Sequence, residues 1–357
     1  MRKKVTMQKI ANFVGVSKFA VSKALSGQTG VSETTRAKII DAAIMLGYQV
    51  NPIDYTNLKK RSNPNVLAPA FSKGYVNVII PGLQDKEDGA FFWSQVLEGI
   101  SQALQQNGLG IIIISEYDPD KFPEIMSTDN LIGFIGVGNI STRILLNITK
   151  TGLPLVLIDH EDPIISCDTV FMNNFDCVYR LTNHLIQLGH QNFQFIGNIN
   201  FSKSFRSRWL GYNTSIEEHL KEYRQGKMLI TLQEDDFEKR TAEISKTINK
   251  LQSNNDMPTA IVCANDAIAL STLQALQDLN IKVPEECSVT GFDNNEEIIK
   301  ASPCLTTVQV SKKLLGIRAI DVLIRKLNVP YSPAEKLLIS GDLVLRGSIS
   351  YPPQYNK

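Results

Sequence analysis

Lys18, Phe19, Ser22 and Lys23 fall on one side of an expected helix, opposite Ala20, Val21, Ala24 and Leu25. On such a face two lysines can donate to guanine O6 and N7, and a phenyl ring can press on a thymine methyl group. That is the chemistry of base reading in a major groove. Thr6, Ser17, Ser32 and Arg36 fall at or near expected helix N-termini, where hydroxyls, a guanidinium and free backbone N–H groups hold phosphates. Each residue alone also reads as an ordinary solvated side chain; the combination points to DNA. Catalytic chemistry finds less support. His160, between Asp159 and Glu161, has the types for acid–base work, but a single histidine on an expected loop reads more simply as a surface residue. Phosphate-loop, nucleophile-elbow and dinucleotide glycine motifs are absent from the sequence, and Gly133, Gly136 and Gly138 run in the wrong order of spacings. Cys167, Cys177, Cys263, Cys287 and Cys304 show no C-x-x-C pair, which predicts reduced, mostly buried thiols, with no structural metal and no cofactor.

Three short helices must position the basic face. Thr6 is a good N-cap for Met7, Ile10, Ala11 and Val14 at helical spacing, and Gly15 follows where a tight turn is needed. Ser17 caps the second helix and Gly27 ends it; Ser32 caps a third, with Ile39, Ile40, Ala43 and Leu46 inward and Gly47 as its stop. About three residues between the first two helices is the spacing of a helix-turn-helix.

Charge sets this head apart. Residues 1–61 carry eleven Lys/Arg against three Asp/Glu, a net +8, and the remaining residues carry 26 against 33, a net −7. A basic module on an acidic body implies a phosphate-rich partner for the module alone. The 357 residues exceed one ordinary core, and 43% hydrophobic with 20% charged is usual for a soluble protein. The N-terminal segment lacks the apolar run of a signal peptide, and the longest apolar stretch near Leu109–Ser115 is strand length, so a cytoplasmic protein without a membrane partner is expected.

The head resembles that of the LacI/GalR family of bacterial repressors. The matching residues are Val5-Thr6, Ile10-Ala11, Gly15-Val16-Ser17, Val21-Ser22, Leu25, Val31-Ser32, Thr35-Arg36 and Leu46-Gly47-Tyr48. The resemblance implies that the second helix reads the operator, with Lys18 and Phe19 setting sequence choice and Lys23 standing where arginine is common. It also implies a hinge helix of Ala-Arg-Ser-Leu type after Tyr48-x-x-Asn51, whose leucine wedges into the minor groove. This chain departs there: Asp54-Tyr55-Thr56-Asn57 occupies the hinge, Val50 replaces a common proline, and Leu58 lies one residue late as a substitute wedge. A Pro/Ser/Asn/Gly-rich stretch then adds roughly ten residues, the composition of a flexible linker.

From Tyr75 onward apolar runs alternate with amphipathic segments. Strands are expected at 76–80, 109–114, 131–137, 154–158, 193–196, 228–232, 260–263 and 288–292. Helices are expected at 91–106, 175–188, 206–223, 237–251, 267–279 and 312–327, which together predict an α/β body of doubly wound parallel sheets. The body also resembles the same family at Phe91-Phe92 with Gly99, Gly152-Leu153-Pro154 leading to Asp159, and His184-Leu185 with Leu188-Gly189-His190. Arg208-x-x-Gly211-Tyr212, Ala264-Asn265-Asp266, Gly291-Phe292-Asp293 and Leu305-Thr306-Thr307-Val308 continue the match. The resemblance implies a two-lobed periplasmic-binding-protein-like (type I) effector domain, with lobes near 75–167 plus 309–330 and 168–300 plus 335–347. It implies effector-binding roles for Phe92, Asp159, Arg208, Asn265 and Asp293. Their chemistry suits a carbohydrate: Arg208 donates in a fork, Asn265 donates and accepts, Asp293 accepts from hydroxyls, and Phe92 offers an apolar face. As strand-end residues, Asn265 and Asp293 read equally as turn formers.

The expected organisation is a helix-turn-helix head over 1–61, a linker over 62–74 and an effector-binding and dimerisation domain over 75–347. The expected function is a sequence-specific repressor, a homodimer on double-stranded operator DNA, controlled by a sugar-like effector. The alternative is a cytoplasmic sugar-binding or metabolic enzyme domain with an accessory nucleic-acid-binding head.

Overall fold

The computed structural model of the chain describes residues 6–25, 31–32, 35, 38–39, 42–43, 74–80, 87–115, 130–220 and 236–353. Arg36, Leu58, the atypical hinge, nearly all of the expected linker and the strand expected at 228–232 lie outside the described residues.

Local chemistry builds the head. Helix α1 (Met7–Val14) starts from Thr6, whose side chain accepts from the Lys9 N–H, and stops at Gly15, whose φ of 74° lets its own N–H close on the Ala11 carbonyl. A Cβ there would strain the left-handed turn. Three residues separate α1 from α2 (Lys18–Leu25), which begins behind Ser17, its Oγ accepting from Ala20 N at 3.1 Å. Residues 35, 38, 39, 42 and 43 are helical. Ile39, Ala42 and Ala43 bury against Ile10, Ala11, Val21, Ala24 and Leu25 in one cluster. The small alanines let these helices approach closely, and the burial of Val21, Ala24 and Leu25 fixes which side of α2 faces outward.

The rest of the chain runs β1 (Tyr75–Ile79), α3 (Glu87–Gln106), β2 (Gly110–Ile114), β3 (Leu131–Val137), α4 (Thr142–Thr149), β4 (Leu155–Ile158) and β5 (Asp168–Met172). It continues with α5 (Asn174–Gln187), β6 (Phe193–Ile196), α6 (Lys203–His219), α7 (Phe237–Ser253), β7 (Ala260–Cys263), α8 (Asp266–Asp278) and β8 (Ser288–Thr290). A 3-10 turn (Glu296–Ile299), β9 (Thr307–Gln309), α9 (Lys312–Asn328), β10 (Lys336–Ile339) and β11 (Asp342–Val344) complete it. Two compact units divide the chain, Met1–Val170 with Lys312–Lys336 and Phe171–Ser311 with Leu337–Lys357, so the backbone passes between them three times.

In the first unit the strands lie in the order β5-β4-β3-β1-β2, each parallel to its neighbours. β4 is buried at every position, which explains its unbroken apolar character, and β5 is buried throughout although it opens with Asp168 and Thr169. Ile144, Leu145 and Ile148 of α4 cover the sheet together with Ile79, Phe134 and Leu157. In the second unit β6, β7 and β8 form a parallel sheet, whereas β9 and β11 pair antiparallel. The expected parallel sheets are thus present in both units, and β9 with β11 adds a three-residue antiparallel pair, which needs no crossover helix. β8 also ends at Thr290 rather than at 292, because Asp293 and Asn294 turn the chain with φ of 109° and 50°. Helix α6 is seated by Gly211, where a Cβ would meet the Phe175 carbonyl oxygen at 2.2 Å. That close approach against α5 sets the height at which Arg208 is held.

Candidate functional site

The outer face of α2 carries Lys18 and Phe19, both exposed, with Phe19 at 69%. Ser22 and Lys23 on the same face are half-buried, and the Lys23 ammonium lies 4.8 Å from the centre of the Phe19 ring. A cation over that ring one helical turn away orders the long lysine side chain before any base is met. The hydroxyls of Thr6 and Ser17 accept from backbone N–H groups at the starts of α1 and α2. An oxygen that accepts in a cap still has its own hydrogen to donate, so capping and phosphate contact are compatible. Ser32 accepts from Thr35 N at 3.2 Å and donates to Thr35 Oγ1 at 2.7 Å. Ser32 therefore belongs first to its own turn.

In the second unit the structure brings Arg208, Asn265 and Asp293 into one neighbourhood. Arg208, 6% exposed, projects from α6. Its Nε donates to Asn174 Oδ1 at 2.8 Å and its Nη1 to the Ala264 carbonyl at 2.7 Å. Nη2 lies 3.5 Å from Asp293 Oδ1, an ion-pair distance, and the guanidinium carbon sits 3.7 Å from the centre of the Phe292 ring. Two of its three nitrogens already donate within the protein, and Nη2 remains the nitrogen beside Asp293. Asn265 caps α8, its Oδ1 accepting from Ile268 N at 3.0 Å. Its acceptor is committed to the helix, as its position at a strand end allowed.

The Asp293 turn is held from behind. Asp266, fully buried, accepts from Thr307 Oγ1 at 2.6 Å and from Asn295 N at 2.8 Å. Asp293 N donates to the Val308 carbonyl at 3.0 Å. Asn294 donates to Gln309 Oε1 and accepts from Arg346 Nη2 at 2.7 Å. Sequence reasoning missed Asn174 and Asp266 as members of the site. Asp266 sat inside a quoted motif, and a carboxylate that leads a helix into a buried position was the available signal. Asn174 offered none, since its neighbours are distant in the chain.

Phe92 and Asp159 belong to the first unit and are both half-buried. The Phe92 ring meets Trp93 edge-on at 4.8 Å, with the Lys312 ammonium 5.6 Å from its centre. Asp159 follows β4 with a φ of 56°. Beside it, Asp162 organises the loop: burial opposes its charge, but hydrogen bonds from Thr142 and from the Ile164 and Ile165 N–H groups hold its carboxyl below the ordinary carboxylate range. Burial, reinforced by Asp168, Asp162 and Glu161, pushes the Cys167 thiol up to about 12, and burial lifts Cys263 to about 12 as well. Such thiols stay protonated near neutrality and are poor nucleophiles. Among the described residues no group of three or more His, Cys, Asp or Glu is placed to hold a metal ion, and no helix is long and apolar enough to cross a membrane.

Residues 6–51 match the family described as bacterial regulatory proteins, lacI family, and residues 182–349 match the periplasmic binding protein-like domain. The chain carries a lacI-family helix-turn-helix domain and a periplasmic binding protein-like domain. It is accordingly a DNA-binding transcription regulator, with a helix-turn-helix head and a parallel-sheet α/β body. Curated relatives align along nearly the whole length. The HTH-type transcriptional repressor PurR of Actinobacillus pleuropneumoniae serotype 3 (strain JL03) is 26% identical over 353 residues, 96% of this chain and 98% of its own. The HTH-type transcriptional regulator DegA of Bacillus subtilis (strain 168) is 26% identical over 355 residues, 97% and 98% of the two chains. Among solved structures, the lac repressor dimer bound to operator and the anti-inducer ONPF superposes with a TM-score of 0.65 at 20% identity, covering 98% of this chain and all of that one. A transcriptional regulator CelR–cellobiose complex gives 0.65 at 18% identity, covering 97% of this chain and 100% of that one. A LacI-family regulator from Enterococcus faecium with bound ribose gives 0.63 at 21%, covering 78% of this chain and 99% of that one. At these identities the structures establish the LacI-family fold.

Proposed function

We propose that the protein is a cytoplasmic, homodimeric repressor of pseudo-palindromic operators whose DNA affinity is set by a sugar-like effector, and that it is not an enzyme. Its organisation is a head over 1–61, a linker over 62–74 and an effector-binding and dimerisation domain over 75–347. Thr6, Ser17, Ser32 and Arg36 contact phosphates, Lys18, Phe19, Ser22 and Lys23 face bases, and Leu58 approaches the minor groove. Phe92, Asp159, Arg208, Asn265 and Asp293 receive the effector.

The carrying observation for the effector is the buried Arg208–Asp293 pair at 3.5 Å. A mutually neutralised cation and carboxylate present both a donor and an acceptor without net charge, which suits hydroxyl groups. The likeness to structures holding ribose and cellobiose supports the same class. The test is selection of bound DNA with and without a sugar panel that includes ribose and cellobiose, alongside thermal shift. A palindromic consensus whose recovery changes with one sugar is expected; recovery indifferent to every sugar, with no thermal shift, overturns the effector reading. Changing Lys18 and Phe19 together should alter the selected bases. Arg36→Ala should weaken all sequences alike and reduce the salt dependence by about one ion.

A further inference from the structure

We infer that Asn174 is the positioning residue of the effector site: its side-chain amide fixes the guanidinium plane of Arg208 and thereby decides that Nη2 faces Asp293. The inference rests on the assignment of Arg208 to that site, but its geometry stands independently of any ligand.

Asn174 is the first residue of α5 and 3% exposed, so every polar atom of its side chain needs a partner inside the protein. Its Nδ2 donates to the Met172 carbonyl at 3.0 Å and to Ser204 Oγ at 2.9 Å. Its Oδ1 accepts from Arg208 Nε at 2.8 Å. The amide has one self-consistent orientation, because a carbonyl can only accept and a guanidinium can only donate. Met172 ends β5 and Ser204 lies in the first turn of α6, so the amide ties strand end, helix start and guanidinium together. With Nε held by Asn174 and Nη1 by Ala264, two fixed acceptors define the plane of a rigid group, and Phe292 packs against its face. Only one orientation of Nη2 remains.

The residue type matters as much as its place. An aspartate at 174 could accept from Nε but could not donate to Met172. It would also set a second carboxylate beside Arg208 in competition with Asp293. An alanine would leave Nε buried without its acceptor, a loss sized for hydrogen bonds to charged groups.

The test needs no effector, so its failure is distinguishable from failure of the effector reading. The full-length protein is exposed to phenylglyoxal, a dicarbonyl that attacks guanidinium groups, and modification at each arginine is followed by peptide mass spectrometry. Arg240 is the internal control: it is 5% exposed in the same unit, and its Nε donates to Ser271 Oγ at 2.8 Å, remote from Asn174 in the chain. Asn174→Ala is expected to speed modification of Arg208 by at least about tenfold, the scale of a lost hydrogen bond to a charged group, with Arg240 unchanged. Asn174→Asp keeps an acceptor for Nε but loses the donor to Met172, so it is expected to speed modification of Arg208 less than Asn174→Ala does; acceleration at Arg208 equal to that of Asn174→Ala would overturn the role given to the Nε acceptor. Equal acceleration at Arg208 and Arg240 would mean that Asn174 supports the unit at large and would overturn the inference. No acceleration at Arg208 in Asn174→Ala would overturn it as well.

Discussion

Lys18 and Phe19 stand exposed on α2, where Phe19 is met by Lys23 of the same helix, while Arg208 and Asp293 are buried and held by Asn174, Ala264 and Val308 from three separate segments. The reading face of the head is a surface whose chemistry is available to any partner that fits it. The Arg208 neighbourhood is an interior in which the guanidinium is already held by acceptors from other elements, so an incoming ligand meets an arrangement fixed in advance. The difference separates two costs. A change on α2 should alter recognition and leave folding alone, whereas a change at Arg208 should disturb both.

Removing one member of the buried pair gives the largest expected effect. Arg208→Ala leaves the Asp293 carboxylate without its cation and should cost the second unit about 3 kcal/mol, whereas Lys18→Ala and Phe19→Ala should each stay within about 0.5 kcal/mol. Urea unfolding followed by Trp209 fluorescence, with Trp93→Phe to silence the first unit, measures the former, and circular dichroism the latter. A loss at Lys18 equal to that at Arg208 would break the comparison. Replacing both partners, Arg208→Met with Asp293→Leu, should recover about 1–3 kcal/mol relative to the sum of the single losses, since no charge is left stranded.

Helix caps sharpen the contrast at a smaller scale. Ser17→Ala and Asn265→Ala each remove an acceptor from a helix N-terminus and should each cost about 1 kcal/mol of stability. Their functional consequences should diverge: Ser17→Ala weakens operator binding across sequences, and Asn265→Ala shifts the effector response without changing the selected operator. The smallest effect concerns pH. His190 is 1% exposed, with Nδ1 3.0 Å from Thr259 Oγ1 and Nε2 2.9 Å from the Ser350 carbonyl. Burial lowers its pKa below the ordinary 6.5, against the opposing pull of that carbonyl. The unfolded chain therefore takes the proton first, so the second unit should lose stability as pH falls below about 6.5. The head contains no histidine and should lack this dependence. Melts at pH 7.5 and 5.5 compare the two, and His190→Gln should flatten the profile of the second unit; a profile unchanged by that substitution would assign the pH response to other groups.

Short-range pattern made the head and most of the body legible. The caps Thr6 and Ser17, the Gly15 turn and the inward face of Val21, Ala24 and Leu25 follow from neighbours within one or two helical turns. Strands β3, β6 and β7 took their expected bounds because each is a short, mainly apolar run set between turn residues. Helix α4 carried a readable signal in Ile144, Leu145 and Ile148, but its eight residues were too short to stand out from the strands around it. β10 and β11 lie in different sheets with alternating or partial exposure, and their bounds depend on which distant strand accepts each.

The sequence by itself determined the residue types at the site, the basic head on an acidic body and the alternation of strand and helix, because each is a property of composition or of near neighbours. Only the tertiary structure decided how those residues are used. Arg208 meets Asn174 across 34 positions and Ala264 across 56, and Asp266 meets Thr307 across 41. Contacts at such separations leave no periodic trace, and a guanidinium that looks like a free fork in the sequence becomes a clamped plane once its acceptors arrive from other elements.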